Sequence, residues 1–284
     1  MMAKDTFLNR KLTLNCKGRL VDLSQPQVMA IINLTPDSFY GSSRVNVKDE
    51  LLLKVENFIK EGAAFIDLGA YSSRPGALNI SSQEETDRLL PAVEEINKQF
   101  PNALISIDTF RADVAEKAIN AGAHIINDIA AGNLDDQMFA TVAKLGVPYI
   151  MMHMKGTPQN MQQDPVYNNL TEEVLSYFLE KVDVLKKQGV KDMIIDPGFG
   201  FAKTLEHNYE LLKNMEALSV LELPILVGVS RKSMICKLLN IKPEEALNGT
   251  SVLNTVALLK GANILRVHDV KEAVECVRLI EYCK

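Results

Sequence analysis

Short apolar runs alternate with longer amphipathic segments eight times along this chain, a pattern that restricts it to an α/β fold built on a parallel sheet. The runs that read as buried strands are Val28–Leu34, Ala64–Leu68, Leu104–Ile107, His124–Asn127, Val147–Met152, Met193–Ile195, Ile225–Val229 and Ile264–Val267. Between them the period lengthens to that of helices. Examples are Gln83–Gln99, with Ser81 and Ser82 as candidate N-caps, and Leu170–Gln188. Gly62, Gly122, Gly146, Gly189 and Gly261 stand just before strands, where a left-handed residue turns the chain back after a helix.

Eight such units either close into a barrel or lie open as a doubly wound sheet. The strand ends favour closure. Each is polar: Asn33, Asp67 with Tyr71–Arg74, Asp108, Asn127–Asp128, His153, Asp196, Ser230–Lys232, and Arg266 with His268. In an open sheet ligand residues gather at one switch point, whereas eight polar ends converge only when the sheet closes on itself. The expected architecture is a (β/α)8 TIM barrel. The segment Leu12–Leu23 precedes the first strand, reads as a short N-terminal β-hairpin, and is expected to plug the barrel from below. No linker or low-complexity tract breaks the chain.

Composition narrows the functional classes. With 47% hydrophobic residues, 6% aromatic and no Trp, the core must be large and aliphatic. A net charge of −5 leaves no face-sized cationic excess for a nucleic acid, although a local cluster can still hold a small anion. The four cysteines, Cys16, Cys236, Cys276 and Cys283, form no Cys-x-x-Cys pair and fit reduced thiols. The polar N-terminus has no signal-peptide run and no segment is long enough to span a membrane, so the expected location is cytoplasmic.

Two groups of residues at the strand ends carry the chemistry. Asp108 ends Leu-Ile-Ser-Ile-Asp and Asp196 ends Met-Ile-Ile-Asp; a carboxylate after an aliphatic run must be paired or hydrogen-bonded. Either residue can simply cap the helix that follows. On a barrel's C-terminal rim, however, such acids are placed to grip a ligand. A carboxylate accepts two parallel hydrogen bonds from a guanidine-like heterocycle, and Asn127 and Asp128 offer further donors and acceptors beside it. The second group is cationic: Ser230-Arg231-Lys232-Ser233 after the seventh strand and Arg266-Val267-His268 at the end of the eighth. These positions form the usual phosphate site of the fold. Lys232 reads either as a solvated lysine or as an anion contact. Its place at a helix start, where a cation opposes the dipole, favours the anion. Asp196-Pro-Gly-Phe-Gly-Phe lacks dinucleotide or P-loop spacing. Met151-Met-His-Met-Lys reads as a strand end rather than a metal site.

Taken in order, eight of these segments resemble the dihydropteroate synthases, pterin-binding barrel enzymes of folate biosynthesis. They are Asn33-Leu-Thr-Pro-Asp-Ser-Phe, Ser72-Ser-Arg-Pro-Gly, Ser106-Ile-Asp-Thr, Ile126-Asn-Asp-Ile, His153-Met, Asp196-Pro-Gly-Phe-Gly-Phe, Gly228-Val-Ser-Arg-Lys-Ser and Arg266-Val-His-Asp-Val. The resemblance implies one pterin-binding domain over residues 1–284. It also implies condensation of 6-hydroxymethyl-7,8-dihydropterin pyrophosphate with p-aminobenzoate to give 7,8-dihydropteroate and pyrophosphate. By the same resemblance Asp108, Asn127, Asp196 and Lys232 bind the pterin, and Asp108, Asp196 and Lys232 serve catalysis. Asn33, Arg266 and His268 hold the pyrophosphate, with Asn33 on Mg2+ and Asp37 ordering nearby. Ser73, Arg74, Pro75 and Ser233 take the aminobenzoate. A homodimer, small-molecule partners and sulfonamide sensitivity are further properties of that family.

The chain departs from the family pattern in three places. Tyr71-Ser72-Ser73-Arg74 stands for the usual Glu-Ser-Thr-Arg, Gly41-Ser42-Ser43 for Asp-Gly-Gly, and Ala202 for a glycine. The rival readings are a pterin-binding methyltransferase domain, which would not need the Ser-Arg-Pro loop, and a non-catalytic pterin-binding paralogue, which would have lost cations or strand-end acids.

Overall fold

The N-terminal hairpin consists of β1 (Thr13–Cys16) and β2 (Arg19–Asp22), antiparallel and paired from Thr13–Asp22 to Cys16–Arg19. Lys17 and Gly18 both take positive φ, +55° and +91°, the turn whose twist matches that of the strands. The structure is a computed structural model and describes residues 12–34, 44–72, 79–157 and 165–283.

Eight parallel strands follow: β3 (Gln27–Asn33), β4 (Phe65–Gly69), β5 (Leu104–Asp108), β6 (Ile125–Asp128), β7 (Tyr149–Met152), β8 (Met193–Asp196), β9 (Leu226–Val227) and β10 (Ile264–Val267). Their order is β8-β7-β6-β5-β4-β3-β10-β9. A parallel bridge between Ile195 and Ile225, with Ile195 N–H donating to Pro224 O at 3.0 Å, joins the two ends. The sheet is therefore a barrel, as the polar strand ends predict.

The helices are α1 (Arg44–Glu61), α2 (Ser82–Gln99), α3 (Ala112–Asn120), α4 (Met138–Leu145), α5 (Leu170–Lys187), α6 (Leu205–Lys213), α7 (Ser233–Leu239), α8 (Leu247–Leu259) and α9 (Val270–Tyr282). Ser81, not Ser82, caps α2, its hydroxyl accepting from Glu84 N–H at 3.1 Å. The five glycines before strands all have positive φ. Two strands are shorter than the apolar pattern suggests. β7 starts at Tyr149 because Pro148 has no N–H for the ladder. β9 stops at Val227, just before the chain bends towards Arg231, whose φ is +55°. None of the described helices is long and apolar enough to cross a membrane. The four cysteine thiols are free.

Alternation along the strands separates two environments. Val28, Ala30, Ile32, Ile66, Leu68, Ile105, Ile107 and Leu265 pack outward in the large cluster shared with the helices. Inside, Met29, Phe65, Ile125, Ile150, Ile194, Leu226 and Ile264 form one buried layer, and the hairpin's Leu14 and Cys16 together with Leu23 pack against it. The hairpin is the floor. Above that layer the same strand faces present Asp67, Ser106, Asp108, Asn127, Asp196 and Arg266. The apolar lower layer thus lifts the polar groups towards the C-terminal mouth.

Candidate active site

The register brings the polar groups side by side. Asp67 neighbours Ser106, Asp108 neighbours Asn127, and Met152 neighbours Asp196 across their ladders. Arg266, on β10, reaches over this row. Its Nε lies 2.7 Å from Asp67 Oδ2 and its Nη2 lies 2.6 Å from Asp108 Oδ2. The Asn127 carboxamide also donates to Asp67 Oδ2, at 3.1 Å. One guanidinium and one amide are thereby oriented by two acids from neighbouring strands. Among the described residues no hydrogen-bond partner reaches Asp67 Oδ1 or Ser106 Oγ, although both side chains are fully buried.

Charge and burial work against each other here. Burial pushes Asp108 up to about 7, Arg266 opposes the rise, and the nearby acids Asp67, Glu85 and Asp128 add to it. Burial also raises Asp196, against the pull of Lys232 and a hydrogen bond from Gly198 N–H at 2.8 Å. For Lys232 burial lowers the value to about 8, with Asp196 opposing. Burial disfavours the Arg266 cation too, but Asp67 and Asp108 outweigh it and raise that group. The result is that Asp108 and Lys232 are brought towards neutral pH beside the charged Arg266 guanidinium, the arrangement expected where charge must be stabilised during a reaction.

Lys232 is aimed by its neighbours. It forms the N-cap of α7, donates to Phe199 O and lies 4.9 Å from the centre of the Phe201 ring. The residue before it, Arg231, takes a left-handed conformation and is held by both oxygens of Asp269, at 2.9 and 2.6 Å, and by Thr250 Oγ1 on its N–H. Arg231, grouped with the cationic cluster on sequence grounds, therefore serves the bend that turns Lys232 inward.

The loop after β8 is pinned from behind. The buried Lys203 ammonium has three acceptors at 3.0 Å each, His153 Nδ1, Gly198 O and Phe201 O, which match its three N–H bonds. Burial lowers Lys203 to about 7 and His153 to about 2, so this imidazole is neutral. His153 thus supports the loop, just beyond the end of β7 at Met152. Ile129, Met152 and Met154, with Ala202 and Phe201, form an apolar cluster.

The remaining expected residues divide by place. Asn33 is exposed at the end of β3 and Ser233 is exposed at the start of α7. His268 is exposed just beyond β10, with its ring Nδ1 3.1 Å from Ser230 Oγ. Asp37, Gly41–Ser43, Ser73, Arg74 and Pro75 lie outside the described residues. Asp128, paired with Asn127 on sequence grounds, turns to the opposite face of β6. There it accepts from Ala130 and Gly132 N–H, at 2.7 and 2.8 Å, and from Tyr149 Oη–H at 2.6 Å. Asp67 is the acid that sequence reasoning passed over as a site residue, and Lys203 the cation.

Fold and site together define a parallel barrel whose C-terminal mouth gathers buried acids, a guanidinium and a lysine. Its sequence matches the profile of the family described as "Pterin binding enzyme" over residues 29–268. It is 42% identical to the dihydropteroate synthase of Escherichia coli (strain K12), an alignment covering 93% of this chain and 94% of that one. With the dihydropteroate synthase of Bacillus subtilis (strain 168) it shares 39% identity over 89% and 87% of the two chains. Among solved structures, the Yersinia pestis dihydropteroate synthase in complex with a sulfonamide drug superimposes with a TM-score of 0.89 at 41% identity, covering 95% of this chain and 98% of that one. The Xanthomonas albilineans enzyme with 4-aminobenzoic acid gives 0.88 at 34% identity, covering 96% and 98%. The chain belongs to the dihydropteroate synthase family.

Proposed function

We propose that the strand-end cleft condenses 6-hydroxymethyl-7,8-dihydropterin pyrophosphate with p-aminobenzoate, forming 7,8-dihydropteroate and pyrophosphate, within one domain spanning residues 1–284. The observation that carries this reading is the convergence of Asp108, Asn127, Asp196, Lys232 and Arg266 at the C-terminal mouth of the barrel. A pterin edge offers a ring N–H and an exocyclic amine in parallel, and Asp196 is a buried acceptor matched to that pair. Asn127 and Lys232 flank it, and the apolar cluster around Met152 suits the ring's face.

In the reaction the C–O bond to the leaving diphosphate breaks, its electron pair going to the diphosphate. The C–N bond to the aniline forms, and the amine then releases a proton. Loss of the diphosphate first leaves a cationic pterin methylene, and Asp108 and Asp196 are placed to stabilise positive charge on it. No enzyme nucleophile is needed. Arg266 and His268, with Asn33, provide donors for the departing diphosphate. Ser233, with Ser73, Arg74 and Pro75, is assigned to the aminobenzoate.

Asn33 also fits Mg2+, because an exposed amide oxygen at the mouth is a hard donor, and diphosphate oxygens can complete an octahedral set. When bound, that ion supplies charge neutralisation to the leaving group. Two identical subunits and a cytoplasmic location complete the proposal, on the strength of the family.

The test is pyrophosphate release measured with the pterin pyrophosphate, Mg2+ and p-aminobenzoate, with and without the aminobenzoate. Aminobenzoate-dependent release with formation of dihydropteroate is the expected result; pterin binding without turnover overturns the reading. Asp108→Asn should lower turnover by about 100-fold or more while the thermal midpoint stays close to that of the parent. Near-normal turnover removes Asp108 from the mechanism.

A further inference from the structure

Asp67 is given no role in the subsites above, yet among the described residues its hydrogen bonds run to two members of them, Arg266 and Asn127. The side chain is fully buried in the middle of β4, on the inward face. A carboxylate in such a place is costly unless paired. Its partners are unlike those of the other fully buried strand acid, Asp128. The Asp128 oxygens bind two amides of its own loop and one tyrosine hydroxyl, and so hold the fold together locally. Among the described residues Asp67 accepts no backbone N–H. Its Oδ2 takes Arg266 Nε at 2.7 Å and Asn127 Nδ2 at 3.1 Å, while Oδ1 has no hydrogen-bond partner among the described residues.

The geometry of the guanidinium makes this more than an ion pair. Arg266 divides its fork, Nε to Asp67 and Nη2 to Asp108. With Asp108 alone the planar group could rotate about its Cδ–Nε bond; with both acids its plane is fixed. The same Asp67 oxygen fixes the Asn127 carboxamide, leaving that residue's carbonyl oxygen in a set orientation. We propose that Asp67 is a positioning residue of the condensation, holding Arg266 and Asn127 in the orientation in which they meet the pterin and its diphosphate. This rests on the assignment of Arg266 and Asn127 to the substrate site.

Asp67→Asn keeps the shape and one acceptor but removes the charge. The expected result is a fall of about 10- to 100-fold in kcat/KM for the pterin pyrophosphate, the scale of a small misplacement of binding groups. The KM for p-aminobenzoate should stay within about twofold, since the groups that Asp67 bonds, Arg266 and Asn127, are assigned to the pterin and its diphosphate. Combined with Arg266→Lys, which has no fork to orient, the Asp67→Asn change should add about twofold or less, because the two residues act as a unit.

Unchanged pterin kinetics in Asp67→Asn overturn the proposal. So does a loss that tracks only the folded fraction, with both substrates affected alike. Should Asp67→Asn fail to fold, Asp67→Glu keeps the charge and displaces it by one methylene. The same selective loss is expected there, and normal pterin kinetics overturn the proposal. If Arg266→Lys itself leaves the kinetics normal, the substrate-site assignment fails and takes this inference with it. A damaged Arg266→Lys beside an intact Asp67→Asn defeats the inference alone.

Discussion

At the scale of single residues the site is a problem of holding like charges together. Asp67 and Asp108 stand on adjacent strands two residues out of register, and Arg266, bonded to both, relieves the repulsion. Burial, which Arg266 only partly offsets, holds Asp108 up at about 7, and burial, which Asp196 only partly offsets, brings Lys232 down to about 8. The signs then set a pH profile. Asp108 stabilises positive charge only when ionised, so activity should fall as pH drops through about 7. Lys232 donates a full charge only when protonated, so activity should fall again as pH rises through about 8. The kcat/KM for the pterin pyrophosphate, which reports the free enzyme, should be a narrow bell between those values. In Asp108→Asn the acid limb should disappear. A flat profile on the acid side would show that Asp108 does not govern the reaction. Most of these residues were legible, because a polar residue closing an aliphatic run has to be explained. Asp67, counted among the polar strand ends, was less legible as a site residue, since Leu68 follows it and it lies inside its apolar run. The available signal was its cost: an acid within Phe-Ile-Asp-Leu-Gly must have partners elsewhere in the chain. Asp128 shows the reverse failure. It stands next to Asn127 in sequence, and the twofold alternation of a strand sends it to the other face.

At the scale of elements the loop after β8 does most to shape the cleft. It carries Asp196 at its start, offers Phe199 O to Lys232, and is fastened by Lys203. Gly198 makes that path possible. It has φ +73°, and a Cβ there would stand 2.1 Å from His153 O, a backbone atom that cannot step aside. Gly198→Ala therefore meets two penalties, conformational and steric, and should lose at least about 2 kcal/mol of stability. The measurement is a thermal melt, with a fall of roughly 4 °C or more expected, together with weaker pterin binding as Asp196 shifts. An unchanged melt would mean the loop can move away from β7. Ala202 presents the milder case. It replaces the family's glycine at φ +49° yet packs its methyl fully into the Met152–Met154 cluster. Left-handed strain of about 1–2 kcal/mol is offset by a buried methyl worth about 0.8 kcal/mol and by the lower chain entropy of alanine. Ala202→Gly should therefore change stability by less than about 1 kcal/mol. Sequence periodicity located every barrel strand. It could not foresee that Pro148 delays β7, because the run Val147–Met152 looks uniformly apolar and the ladder constraint belongs to the backbone.

For the whole molecule the barrel divides its labour by height. The C-terminal mouth holds buried charges and glycine-dependent turns, while the lower end holds an aliphatic layer closed by the hairpin. Cys16, sealed there, has its thiol pushed up to about 12, by burial first and then by Asp192, and is chemically inert. Leu14 and Leu23 are fully buried against the same layer, although they precede the first barrel strand. Their role was legible as a hairpin with alternating apolar residues; which barrel residues they meet was not, because that depends on closure of strands far apart in the chain. The two ends should then respond oppositely to substitution. Leu14→Ala removes buried methyl groups and leaves a cavity beneath the barrel, at a cost of about 2–5 kcal/mol. Polar residues of the mouth sit above a complete layer of side chains, so this loss should not reach them. The expected result is a clearly lower thermal midpoint with kcat and both KM values within about twofold of the parent, measured well below the melt. Asp108→Asn should show the converse. If Leu14→Ala instead raised the pterin KM at low temperature, the apolar layer would be transmitting strain to the mouth, and the floor would have to be counted as part of the site.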